Sequence, residues 1–153
     1  MGKRKTIFLP SNRSAIIVTK VANQSIPNIT VTKVLLDTLI FNSNDYVFRV
    51  ATNDIQIIVN GFYQISYVNQ WAAGIIGSRS CQIFKNAALL TSDANPVATI
   101  AAALPHKFSS FVAQLIMGDI IDMRVYHNQG AALVLNAVAG IAPMLSISLI
   151  EVN

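Results

Sequence analysis

Charge is what this 153-residue chain has least of: Asp, Glu, Lys and Arg make up 12% of it, while hydrophobic residues make up 53%. A soluble domain ordinarily carries about 25% charged residues. So little charge does not cover a whole surface, and part of the apolar surface must be hidden, either in a membrane or by copies of the chain. Cysteine is nearly absent. Cys81 stands alone, which excludes an internal disulfide framework. Histidine is scarce as well: His106 and His127 lie 21 residues apart, with no paired Cys or acid beside them, so zinc-type spacing is missing. No phosphate-cradling loop occurs, because Gly74-Ile-Ile-Gly77 has the wrong length and no following Lys. Ser109-Ser110 lacks the glycines of a nucleophile elbow. Asp119 sits in a Gly-Asp turn, where a carboxylate caps backbone amides. Asp93 and Asn95 offer oxygen ligands to a hard cation, but two such residues are a weak signal. No enzyme activity and no cofactor are expected.

No long uniformly apolar run is present either. The stretch 125–150 has no charged residue, yet Gly130, Asn136, Gly140 and Pro143 interrupt it. Its end, Met144-Leu-Ser-Ile-Ser-Leu-Ile150, alternates with period two. A spanning helix needs about 20 mostly apolar residues, so no membrane span is expected and self-association takes the apolar excess. No secretory leader is read at the amino terminus, since Pro10 follows a short apolar run. Synthesis in a cytoplasm without export by a cleaved signal is therefore expected. The three Asn-x-Ser/Thr matches, at Asn12, Asn23 and Asn28, are read as coincidental.

What charge there is lies unevenly. Lys3, Arg4, Lys5, Arg13 and Lys20 place five positive charges in the first twenty residues, with no acid among them. The remainder holds six basic and seven acidic residues, a net of −1. Residues 1–21 therefore read as a basic arm, and 22–153 as one near-neutral domain. The arm is either a solvated tail or a segment that docks on an acidic partner surface. Only Phe8 interleaves with its basic residues, which argues against nucleic acid.

The body is rich in Val, Ile, Thr, Phe and Tyr, with turn residues at short intervals and almost no helical periodicity. That pattern predicts an all-β antiparallel sandwich of about ten strands. Strands are read at 15–21, 30–41, 46–50, 54–59, 61–71, 78–85, 97–104, 107–115, 121–127, 133–138 and 144–152. Residues 23–28 are read as a turn-rich link, 86–95 as a loop, and Asn60-Gly61 as a turn. In the strand after Gly61, a period of two sends Tyr63, Ile65, Tyr67, Asn69 and Trp71 to one face. Gln56, Gln64, Ser66 and Gln70 take the other, but Phe62 and Val68 interrupt it, which suggests that this face also meets something. Cys81, Ile83, Met123, Val125, His127, Leu145 and Ile147 are read as inward. Tyr63, Ile65, Tyr67, Trp71, Met123, Val125, Leu145 and Ile147 are assigned to packing, in the core or between copies of the chain. Trp71, at a strand end beside a glycine-containing loop, is also open to a binding role.

These residues resemble a known family. Gly61-x-Tyr63-x-Ile65 with Trp71, then Gly77-x-Arg79, Ile83 and Asn86, then Leu115-x-x-Gly118-Asp119, then Tyr126 and Gly130, are similar to the C1q/TNF-like jelly roll. The upstream Gln24-Ser-Ile-Pro-Asn28, leading into Asp37 to Asn42, resembles the form found in bacteriophage virion proteins. The resemblance spans about 22–152. It implies a ten-stranded jelly roll that assembles as a compact homotrimer without catalysis. In phages such modules act as head fibres, capsid decoration proteins or tail-fibre tips. Asn69 departs from the apolar residue expected there, and the 86–105 stretch has no acidic cluster for calcium. The expected function is a structural virion protein, a trimeric capsid decoration or head-fibre protein held through its arm. The alternative is a receptor-binding module for a host glycan or surface protein, with loops 72–78, 86–96 and 128–132 carrying the site.

Overall fold

The computed structural model describes residues 14–72, 77–97, 106–137 and 142–152, without the side chains of 94–97 and 106–107. Thirteen strands are described: β1 Ala15–Thr19, β2 Gln24–Ile26, β3 Thr32–Lys33, β4 Thr38–Asn42, β5 Tyr46–Arg49, β6 Asp54–Ile57, β7 Gly61–Gln70, β8 Gly77–Lys85, β9 Ala88–Val97, β10 His106–Leu115, β11 Ile120–His127, β12 Leu133–Leu135 and β13 Met144–Val152. One sheet has the order β10-β7-β13-β1-β4; the other runs β5-β6-β11-β8-β9, with β3 added beside β11. A two-stranded piece, β12-β2, stands apart from both. All pairings are antiparallel. The chain repeatedly changes sheets, at β3 to β4, β6 to β7, β9 to β10 and β10 to β11. That weave is a jelly roll.

Period-two alternation decides which side chains meet between the sheets. Ile16, Val18, Ile65, Tyr67, Leu145 and Ile147 come from one sheet, and Ile55, Ile57, Ile83, Ile121, Met123 and Val125 from the other. All are buried. Tyr63 is fully buried yet keeps its hydroxyl satisfied, donating to the Val59 carbonyl at 2.6 Å. Tyr46 meets it edge-on at 6.1 Å between ring centroids and donates to the Ser14 carbonyl. A phenol brings large apolar area into a core only when its oxygen finds a partner.

Several sequence expectations change. Residues 86–95 are not a loop. Asn86 and Ala87 alone make the turn, at φ 51° and 67°, and β9 begins at Ala88. Two consecutive positive-φ residues are the mark of a type I′ hairpin, the turn whose twist suits two strands. Ala at such a position hid it from composition. Of the strand read at 97–104 only Val97 is described, as the end of β9; 98–105 lie outside the described residues. Residues 23–28 contain β2, which pairs with β12. The apolar run 30–41 is two strands in different sheets, split at 34–37 where the chain crosses over. Asn60-Gly61 is such a crossing too, not a hairpin, since β6 and β7 belong to different sheets. A Cβ on Gly61 would collide with the Glu151 carbonyl oxygen and with Leu149 Cδ1 on β13. Glycine is needed there for close approach.

The boundary of the basic arm also moves. Residues 15–19, assigned to the arm, form β1, paired inside a sheet between β13 and β4. Lys20 is 4% exposed, donates to the Leu35 carbonyl and lies 3.9 Å from Asp37. It belongs to the fold, because its backbone amide continues the sheet edge by bonding to Pro143. Lys3, Arg4, Lys5 and Arg13 lie outside the described residues.

Candidate functional site

The two outer faces of the sandwich differ in charge, and that difference locates the candidate site. On β7 the even-numbered residues Phe62, Gln64, Ser66 and Val68 point away from the core. The pairing register sets them beside Gln114, Val112, Ser110 and Phe108 of β10. On the other side it sets Gln64, Ser66 and Val68 beside Ser148, Ser146 and Met144 of β13. Beyond β13 come Ala15 and Ile17 of β1, with Phe41 of β4 opposite Ile17. None of these residues is charged; Glu151 of β13, opposite Phe62 beyond the register shift, puts one carboxylate at the end of the face. Phe108 is 64% exposed and Val112 60%, while Phe62 and Phe41 are also open. The polar groups in the middle satisfy one another. Ser66 and Ser110 hydroxyls lie 2.9 Å apart, and Gln64 Nε2 donates to Ser110 Oγ at 3.0 Å. A face of aromatic, aliphatic and mutually bonded small polar groups loses little when water leaves it.

The opposite sheet carries the ions. Lys33 of β3 meets Asp54 of β6 at 3.0 Å and Asp122 of β11 at 3.6 Å. Arg49 meets Asp54 at 2.6 Å, and Arg124 meets Asp122 at 2.7 Å. The Arg124 guanidinium also covers the Phe84 ring at 3.9 Å, a cation–π contact. Burial alone would raise the Asp54 carboxyl; Arg49 and Lys33 outweigh it and hold Asp54 below the usual carboxylate range.

The eight residues assigned to packing, Tyr63, Ile65, Tyr67, Trp71, Met123, Val125, Leu145 and Ile147, all lie in the core of the single chain. None reaches the uncharged outer face. Trp71 is 2% exposed; it bridges to Leu135 of β12 and meets the His127 ring edge-on at 5.6 Å. It closes one end of the core and is not a ligand rim. His127 is fully buried with both ring nitrogens engaged. Nδ1 accepts from the Gln129 amide, so Nε2 carries the proton and donates to the Ile26 carbonyl at 2.9 Å. Asp119 accepts from the Ile116 amide and from Asn86 Nδ2, bracing its own turn against the β8–β9 hairpin. Asp93 Oδ1 accepts from the Cys81 amide and Oδ2 from the Ser109 hydroxyl, stitching the edges of the two sheets. Its oxygens serve that seam. Among the described residues no group of three or more His, Cys, Asp or Glu is placed to hold a metal. No described helix is long and apolar enough to cross a membrane.

The exposed face was partly legible, because Phe62 and Val68 interrupt a polar parity. Phe108 and Val112 were missed: Phe111 and Leu115 set their strand's inward parity, and the register with β7 then brings the outward pair to the same face. Arg79 and Gln129, both buried polar residues, had no sequence signal beyond parity.

The architecture is that of a TNF-like jelly roll. Solved structures agree. Murine APRIL at pH 5.0 superposes with a TM-score of 0.70 at 14% identity, over 91% of this chain and 100% of that one. Eiger TNF from S. frugiperda superposes with a TM-score of 0.68 at 9% identity, over 92% and 94%. No family model matches the sequence, and neither does any curated protein. The likeness is one of fold.

Proposed function

We propose that the protein is a non-enzymatic homotrimer that uses its uncharged sheet face to bind copies of itself. The observation that carries this reading is the charge asymmetry. One outer face holds Arg49, Lys33, Asp54, Asp122 and Arg124, and the other, from β10 to β1, holds among its described residues only Glu151, at one end beside Phe62. Burying ~600 Å² of apolar surface per subunit contributes on the order of 15 kcal/mol before entropy costs. Those costs leave a tight trimer. The fold shared with TNF-type proteins supports the same stoichiometry.

The sequence resemblance carries the reading further, to a virion protein. The trimer would sit on a phage capsid as a decoration or head-fibre protein, made in the host cytoplasm. Lys3, Arg4, Lys5 and Arg13 would dock on an acidic shell. Removing residues 1–13 leaves every described strand in place, and is expected to keep the trimer while abolishing binding to empty capsids. Undiminished capsid binding by the truncated trimer refutes the docking role of the arm. The alternative, recognition of a host glycan or surface protein at a fibre tip, gains nothing from Trp71, which is buried.

A further inference from the structure

Arg79 is the one buried charge in the described structure that no opposite charge meets. It stands on β8 at inward parity with Cys81 and Ile83, opposite His127 of β11, and is 4% exposed. Its Nη2 donates to Gln129 Oε1 at 3.0 Å. Its Nε and Nη1 have no hydrogen-bond partner, and neither has Gln129 Nε2. All of these atoms are donors. A guanidinium accepts nothing, so exchanging the oxygen and nitrogen of the Gln129 amide does not cure the shortage. It would merely remove the single bond Arg79 has.

Most of the described acceptors at this end of the sandwich are already used, Gln70 Oε1 at the end of β7 being an unmet exception. Asn128 Oδ1 takes the Ser78 amide, His127 Nδ1 takes the Gln129 amide, and the Ile26 carbonyl takes His127 Nε2. Asp93, two positions along β9 from the residue paired with Arg79, holds the Cys81 amide and the Ser109 hydroxyl. Burial alone pulls the Arg79 guanidinium below its ordinary value, with no carboxylate acting against it. The cluster is held rigidly. A Cβ on Gly77 would come within 2.8 Å of Gln129 Cγ and of Asn128 Oδ1, so the turn after β11 is pressed against the start of β8.

A buried cation left unpaired is strongly destabilising, and surplus donors demand an acceptor. We infer that Arg79 and Gln129 form a structural site for one small monovalent anion of chloride size. The anion would lie against Arg79 Nη1 and Gln129 Nε2, between the two sheets; Nε–H leaves from the opposite edge of the planar guanidinium. It neutralises the guanidinium and locks the β8 start to the turn at Asn128–Gly130. The site is independent of the proposed trimer face, which lies on the other side of the β7 sheet.

The test uses the full chain, exchanged into sodium gluconate, whose anion is too large for a closed site. Chloride then replaces gluconate at constant ionic strength while thermal unfolding is followed. A saturable rise of roughly 3 °C or more is expected, since binding to the folded state alone stabilises it. Gln129→Glu builds a carboxylate into the site. It should raise the melting temperature in gluconate and abolish the chloride response. Arg79→Met should abolish the response as well, and the glutamate variant stands as the decisive one if the methionine variant does not fold. Crystals soaked in bromide should show an anomalous peak within hydrogen-bond distance of Arg79 Nη1. Equal melting in both salts, water alone at that position, or an acidic side chain of a second copy filling it would each overturn the site. Sedimentation of the glutamate variant separates this result from the trimer reading: it should match the wild type.

Discussion

A glutamate at position 108 puts the uncharged face to the sharpest test. Phe108 is 64% exposed in the single chain and sits opposite Val68 in the β10–β7 register. Because the ring already touches water, Phe108→Glu should change the stability of an isolated subunit by no more than about 0.5 kcal/mol. In a trimer that covers this face the result differs. A Phe carries on the order of 200 Å², so its exposed share is roughly 130 Å², and covering that contributes about 3 kcal/mol at 25 cal/mol per Å². Three symmetric copies bring the loss to about 10 kcal/mol, before the added cost of dehydrating three carboxylates. That is a change of roughly seven orders of magnitude in the assembly constant. Sedimentation velocity at low micromolar concentration reads it directly. The wild type should run as three copies of a 16.6 kDa chain and the variant as one, with the same far-ultraviolet spectrum. A trimeric variant would show that another face makes the contact. A monomeric wild type would refute the assembly altogether.

Two further outcomes probe the subunit itself. Asp54 is held below its unfolded carboxyl value by Arg49 and Lys33 against the opposing effect of burial. Its stabilisation is therefore full above the unfolded value near pH ~4 and fades as pH falls through the lower folded value; Asp54→Asn should flatten the acid limb of the stability curve, and an unchanged acid limb would show the ion network to be idle. Gly61→Ala places a methyl group against the β13 backbone at Glu151. It should lower stability by about 1–3 kcal/mol in a denaturant titration, the usual cost of overpacking, and a neutral effect would mean that the β7–β13 contact is looser than described.

Alternation along β7 and β11 was enough to name the buried side of the sandwich. Tyr63, Ile65, Tyr67, Met123 and Val125 lie inside because a period of two leaves each strand only two faces, and only one of them was continuous in large apolar residues. Scarcity of charge was equally legible, as more apolar surface than one chain ordinarily leaves open. What the chain does not spell out is which outer face lacks ions, because that depends on register and strand order, set by contacts far apart in sequence. Lys33, Asp54 and Asp122 share one surface only because β3 and β6 both pair with β11. Phe62 and Phe108 share the other only because β7 pairs with β10 across a gap of dozens of residues. The Asn86-Ala87 hairpin was hidden for a local reason: alanine seldom adopts the positive φ that the turn requires. Arg79 shows the limit most plainly. Parity turns it inward, but an unmet guanidinium is a property of every neighbour that fails to answer it, and neighbours are decided only when the sheets close on one another.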